Sequence, residues 1–96
     1  MICFKVHKGA MVVVAICDKE LIGKVFSNGK FELKVSEYFY KGQEVSEDDA
    51  ENIMENAYNL NIVGERSVNI ALKLGIVDKK NVLSINGVKH AQVFAR

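Results

Sequence analysis

The stretch that most constrains this chain is residues 11–17: Met11, Val12, Val13, Val14, Ala15, Ile16 and Cys17. It is almost continuously apolar and rich in β-branched side chains, so it lacks the polar face that a surface helix or a half-exposed strand would show. Such a run predicts a central strand covered on both faces. Ninety-six residues leave room for one core, so the whole chain, 1–96, is expected to be a single domain. The longest uncharged apolar run, residues 10–17, is far too short to span a bilayer. Lys5 and Lys8 interrupt the opening apolar stretch, which does not read as a secretory signal. No membrane contact is expected, and a cytoplasmic location fits best.

The segments around that strand supply its partners. Residues 2–7 are apolar and β-branched and lie three residues upstream, so a hairpin is expected that places Cys3 opposite Ala15 and Cys17 one diagonal step away. Diagonal neighbours stand about 7–8 Å apart, beyond disulfide reach, so reduced thiols are predicted. Asp18 is a candidate cap for a short helical turn that Gly23 ends. Asn28-Gly29 marks a tight turn, and the strict alternation after it predicts a strand with Phe31, Leu33 and Val35 inward. Ser46, followed by Glu47, Asp48 and Asp49, starts a helix whose inner face carries Ala50, Ile53, Met54, Ala57 and Tyr58. A second helix is expected within residues 62–74, capped by Asn61 or Gly64, with Val68, Ala71 and Leu72 inward and Gly75 at its end. Asn86-Gly87 then joins two closing strands. The predicted architecture is α+β and two-layered: an antiparallel sheet from N- and C-terminal hairpins, with two main helices packed on it.

Thirteen Lys and Arg against twelve Asp and Glu give a net charge of +1, which excludes strong general attraction to nucleic acid or acidic lipid. The distribution says more than the total. Residues 44–66 hold seven acids and one base, residues 1–43 seven lysines and four acids, and residues 67–96 five bases and one acid. A solvated acidic helix face explains the middle most simply. It also leaves a modest positive surface to look in another direction.

Local motifs for chemistry are sparse. No Cys-x-x-Cys or His-x-x-x-His spacing is present, and a metal would have to be assembled by folding from Cys3, Cys17, His7 and His90, so neither a metal nor a cofactor is predicted. Cys17 activated by His90 and oriented by Asp18 is one catalytic arrangement the residues suggest, though buried strand cysteines are far more often inert. Carboxylate pairs drawn from Asp48, Asp49, Glu51 and Glu55 are better explained as a solvated helix face. No Gly-rich phosphate loop exists. Tyr38, Phe39 and Tyr40 cannot all face inward on an extended segment, so an exposed aromatic beside Lys34 and Lys41 could stack on bases or grip a partner. The simpler arrangement has Phe39 in the core and both tyrosines on its rim. His90 and Gln92 share a strand face with Val88 and Phe94 and need hydrogen-bond partners wherever they are buried.

Five motifs in order, Ala15-Ile16-Cys17-Asp18, Glu20-Leu21-Ile22-Gly23-Lys24, Phe39-Tyr40-Lys41-Gly42, Asn61-Ile62-Val63-Gly64-Glu65 and Gly87-Val88-Lys89-His90-Ala91-Gln92-Val93, resemble the small archaeal family known as domain of unknown function 424. The resemblance spans essentially the whole chain. It departs at Lys89, where that family commonly has proline. It implies an archaeal, cytoplasmic α+β protein with no established activity, and it singles out Cys17, Asp18, Gly23, Asn61, Gly64, Glu65, His90 and Gln92. If these converge on one rim, helix N-terminal amides would add anion affinity there.

The expected function is a non-catalytic interaction module for an RNA or ribonucleoprotein machine in translation or RNA processing, with a protein or ribonucleoprotein partner and RNA as a further contact. Asn61, Gly64, Glu65, His90, Gln92, Tyr38, Tyr40 and Lys41 are its candidate binding residues. The alternative is a small enzyme or ligand-binding protein using Cys17, Asp18, Asn61 and His90.

Overall fold

A computed structural model describes residues 1–95. Strands β1 (Ile2–Lys8) and β2 (Val12–Asp18) form the expected hairpin, followed by a 3-10 turn at Lys19–Leu21. A small hairpin, β3 (Val25–Ser27) and β4 (Glu32–Lys34), leads to a one-turn helix α1 (Glu37–Tyr40) and strand β5 (Gln43–Val45). Helix α2 (Glu47–Glu55), strand β6 (Leu60–Val63) and helix α3 (Glu65–Lys73) come next. A second 3-10 turn at Lys79–Asn81 precedes the closing hairpin of β7 (Leu83–Ile85) and β8 (Val88–Val93).

The class is α+β. Six strands form the main sheet in the order β5-β1-β2-β6-β8-β7, and β3 and β4 pair separately. Every neighbouring pair is antiparallel except β2 and β6 at the centre. That parallel pair is the one departure from the expected antiparallel sheet. Of the two caps expected for the second helix, Gly64 is the one observed, because Asn61 lies within β6. Residues 60–63 are too few to present a helical stripe. Alternation resolves them: Leu60 and Ile62 enter the core under the helices, and Val63 enters the core on the opposite face. Gly64 then breaks the chain direction at φ +108° and occupies the N-cap position of α3.

The long apolar run behaves as its composition requires. Val14, Ala15, Ile16 and Cys17 are buried in succession, because the faces of β2 meet different cores. On one face Ile16 packs with Ile2, Leu60, Ile62, Met54 and Val68 beneath α2 and α3. On the other, Ala15 and Cys17 pack with Leu33, Val35, Tyr40 and Ile85. The sheet and its helices are thus the predicted two layers, and β3, β4 and α1 partly cover the free face. Full burial of each large aliphatic side chain stabilises the fold by about 1.5–3 kcal/mol.

Local signals place the caps and turns. Ser46 accepts from the Asp49 amide and caps α2, Gly75 ends α3 at φ +75°, and Asn86-Gly87 adopts φ of 51° and 83° in a two-residue turn. Three inward assignments are corrected. Phe31 precedes β4 and is exposed, Tyr58 lies past the end of α2 and is exposed, and Phe39 is only half-buried while Tyr40 fills the core. In the hairpin, Cys3 faces Cys17 directly rather than diagonally, and both are free thiols.

Candidate functional site

Because β2 and β6 run parallel, their C-terminal ends lie side by side, and α3 starts beside Asp18. Gly64 has no side chain with which to cap that helix, and Asp18 does it instead. One carboxylate oxygen, Oδ1, accepts from the Ser67 amide at 2.9 Å and its hydroxyl at 2.7 Å, while Oδ2 accepts from the Arg66 amide at 3.1 Å. The Arg66 guanidinium stands 3.8 Å from the same carboxylate and pairs with Glu20. A Cβ on residue 64 would fall 2.4 Å from Asp18 Cγ, so glycine is required here for space as well as for φ. The position at a helix N-terminus that would attract an external anion is filled by the chain's own carboxylate.

Neighbouring motif residues lie at the same end of the sheet. The Gly64 amide donates to the Lys89 carbonyl at 2.8 Å, and the Lys89 ammonium lies 3.5 Å from Glu65. His90 pairs with Val63 in register, and its Nδ1 donates to the Ile62 carbonyl at 2.9 Å. A carbonyl only accepts, so Nδ1 carries the proton. One strand step away, Asn61 pairs with Gln92, and Asn61 Oδ1 accepts from the Tyr40 hydroxyl at 2.6 Å. Burial, chiefly, pushes the Tyr40 hydroxyl well above the usual phenol range.

Cys17 does not share this polar network. It is fully buried among apolar neighbours, and burial first, then nearby Cys3, Asp18 and Glu20, pushes its thiol up to about 12. At neutral pH it is a protonated core side chain, with Asp18 turned to α3 rather than to a histidine. Among the described residues no three His, Cys, Asp or Glu side chains gather as a metal ion requires. His7 sits far along β1, where Nε2 lies 2.7 Å from the Phe39 carbonyl.

The aromatic segment forms a second polar surface. Ser36 caps α1, which lies on the face of β1 opposite α2 and α3. Tyr38 is 79% exposed, with the Lys5 ammonium 4.8 Å from its ring centroid and 2.7 Å from its carbonyl. The His7 ring stacks on Phe39 at 4.4 Å, and Lys41 pairs with Glu37. Tyr40 belongs to the core and is withdrawn from this edge. The register places Lys5, Ala15, Asn61 and Gln92 in one row across the sheet.

The predicted residues therefore fall into two groups. Asp18, Gly64, Glu65 and His90 meet at one end of the central strands, whereas Tyr38 lies on α1 and Lys41 just past its end, with Tyr40 and Asn61 bridging toward them. Sequence reasoning missed Ser67 and Arg66 at the cap, Lys5 under α1 and Leu83 beside His90, and it weighed His7 only as a metal ligand. The β1 alternation, which puts Lys5 and His7 on one face with Cys3, was the one available signal.

A family model described as protein of unknown function (DUF424) matches residues 6–95. No curated protein matches the chain. Among solved structures, the crystal structure of an uncharacterized conserved protein from Methanopyrus kandleri is similar, with a TM-score of 0.83 and 25% identity, covering 99% of this chain and 93% of that one. No helix among the described residues is long and apolar enough to cross a membrane.

Proposed function

We propose that this chain, which belongs to the DUF424 family of proteins of unknown function, is a non-catalytic interaction module that works with RNA or a ribonucleoprotein machine in the cytoplasm. The observation that carries this reading is the edge where exposed Tyr38 stands between two cations, Lys5 over its ring and Lys41 one turn on, with the His7 ring stacked on Phe39 beside them. An accessible ring beside ammonium groups suits the stacking and phosphate contacts that single-stranded RNA offers. Charge separation supports it as well. The five acids of α2 lie on the helix layer, away from the sheet face that carries α1. With a net charge of +1, a protein surface together with RNA is a better partner than naked RNA. The buried, protonated Cys17 and the fully engaged Asp18 weigh against nucleophilic chemistry.

Purification of the tagged protein from its native cell, with and without ribonuclease, tests the reading. Ribosomal or RNA-processing proteins are expected, part of them lost after ribonuclease. Recovery of neither RNA nor such proteins would remove this function. With a single-stranded oligoribonucleotide, Tyr38→Ala should weaken binding about tenfold. Engagement of Lys5 and Lys41 predicts a shallow logarithmic salt slope of about −1.4.

A further inference from the structure

We infer that the cleft between β8 and the Lys79–Asn81 turn is a binding site for a single nucleotide, read by His90 and Gln92. This deepens the RNA reading and rests on it only for the source of the nucleotide: an unpaired residue of an RNA strand, or a free mononucleotide. The cleft exists because β7 is shorter than β8. Leu83, Ser84 and Ile85 pair with His90, Lys89 and Val88, and the chain before Leu83 swings away into the 3-10 turn. What remains is an opening of about 500 Å³ walled by Lys80, Asn81, Leu83, His90, Gln92 and Phe94. That volume lies within the range of small-molecule sites, about 300–1,000 Å³.

Three features give the cleft a definite chemistry. The first is a tautomer held in place. His90 is only 9% exposed, and its Nδ1 proton is committed to the Ile62 carbonyl. No partner among the described residues faces Nε2, yet none of their polar side-chain atoms is both sealed from solvent and unpaired. Nε2 therefore opens into the cleft as an acceptor, and it calls for a ligand that donates a hydrogen bond. A carboxylate cannot supply that donor.

The second feature is backbone. A two-residue turn makes Ile85–Val88 and Leu83–His90 the hydrogen-bonded pairs of the hairpin. The Lys89 carbonyl points the other way, to the Gly64 amide. By alternation the Gln92 N–H and C=O point toward the cleft, where no strand meets them. One residue of open ladder is too short to seat a peptide strand. It suffices for the donor and acceptor groups along a base edge, with the exposed Gln92 amide beside it.

The third is the wall. Phe94, 60% exposed, and Leu83 offer apolar surface on which a flat heterocycle can rest. Lys80 is the one charged side chain in the lining, and no carboxylate opposes it. A flat ring with N–H and C=O groups on its edge and a phosphate attached satisfies all three requirements. A metal does not, since no further ligands gather beside Nε2 among the described residues.

The test is a titration followed by the imidazole and backbone amide resonances of the intact protein. Adenosine and uridine 5′-monophosphate form one arm and a short unstructured oligoribonucleotide the other. Saturable shifts of the His90 ring and the Gln92 amide are expected. His90→Asn keeps an amide donor for the Ile62 carbonyl and removes Nε2, so it should fold and bind about tenfold more weakly. Phe94→Ala should weaken binding similarly. Shifts with the oligoribonucleotide identify RNA as the source. Shifts with mononucleotides alone uphold the cleft and count against the RNA reading. No His90 shift in either arm, or equal affinity in a folded His90→Asn protein, overturns the inference.

Discussion

At the scale of single residues, Asp18 and Gly64 show how a motif can be conspicuous in sequence while its purpose stays hidden. Asp18 occupies the N-cap position of the turn at Lys19–Leu21, where a local reading puts its side chain to work, yet no cap bond forms there. Its carboxylate reaches Arg66 and Ser67, 48 and 49 residues along the chain. Asp18→Ala would leave two amides and a buried hydroxyl without acceptors, and a loss of about 2–4 kcal/mol is expected in chemical denaturation. Gly64→Ala should cost about 1–3 kcal/mol from backbone strain alone, with the clash against Asp18 added. The two sites touch, so the double variant should lose less than the sum of the single losses. Strict additivity would mean that the glycine answers only to φ. None of this coupling was legible locally, because the pattern announces a cap but not which helix receives it.

Among the elements, β2 and the closing hairpin were the most legible, since a β-branched run and an Asn-Gly turn each have few alternative structures. β6 was the least legible. Four apolar-rich residues before a helix carry no period long enough to separate strand from helix, and only the gap between the two hairpins decides the matter. The β1–β2 register lies two residues from the expected one, which brings Cys3 directly opposite Cys17. Both thiols are buried with their pKa values raised, so each should react with a thiol reagent only when the hairpin opens. Labelling near neutral pH should therefore be slow in buffer and immediate in denaturant. Rapid labelling of the native protein would contradict the buried placement.

For the molecule as a whole, two cores share one sheet, and the radius of gyration of 12.2 Å is that of a compact chain of this length. Burial of weak acids in the smaller core links stability to alkaline pH. Cys17 keeps its proton to about 12 when folded, against an ordinary 9.0, and Cys3 and Tyr40 are raised as well. Their neutral forms are favoured in the native state, so the contribution is complete below pH 9 and is lost as pH rises toward 12. Tm should fall through that window, and Cys17→Ala and Tyr40→Phe should each flatten the fall. A Tm that falls equally in all three proteins would place the alkaline sensitivity elsewhere. The same small core fixes Asn61 through Tyr40, which ties the row toward Gln92 to the helix bearing Tyr38.

Composition and short-range pattern by themselves determined the α+β class, the central strand, the cap of α2, the end of α3 and the closing turn. Each of these depends on the conformational preferences of a few adjacent residues. Tertiary structure alone decided that β2 and β6 lie parallel, that Asp18 serves a distant helix, that Tyr40 turns inward while Tyr38 stays in water, and that His90 presents Nε2 to a cleft. Those outcomes depend on which surfaces meet across long stretches of chain, and no adjacent residue records that choice.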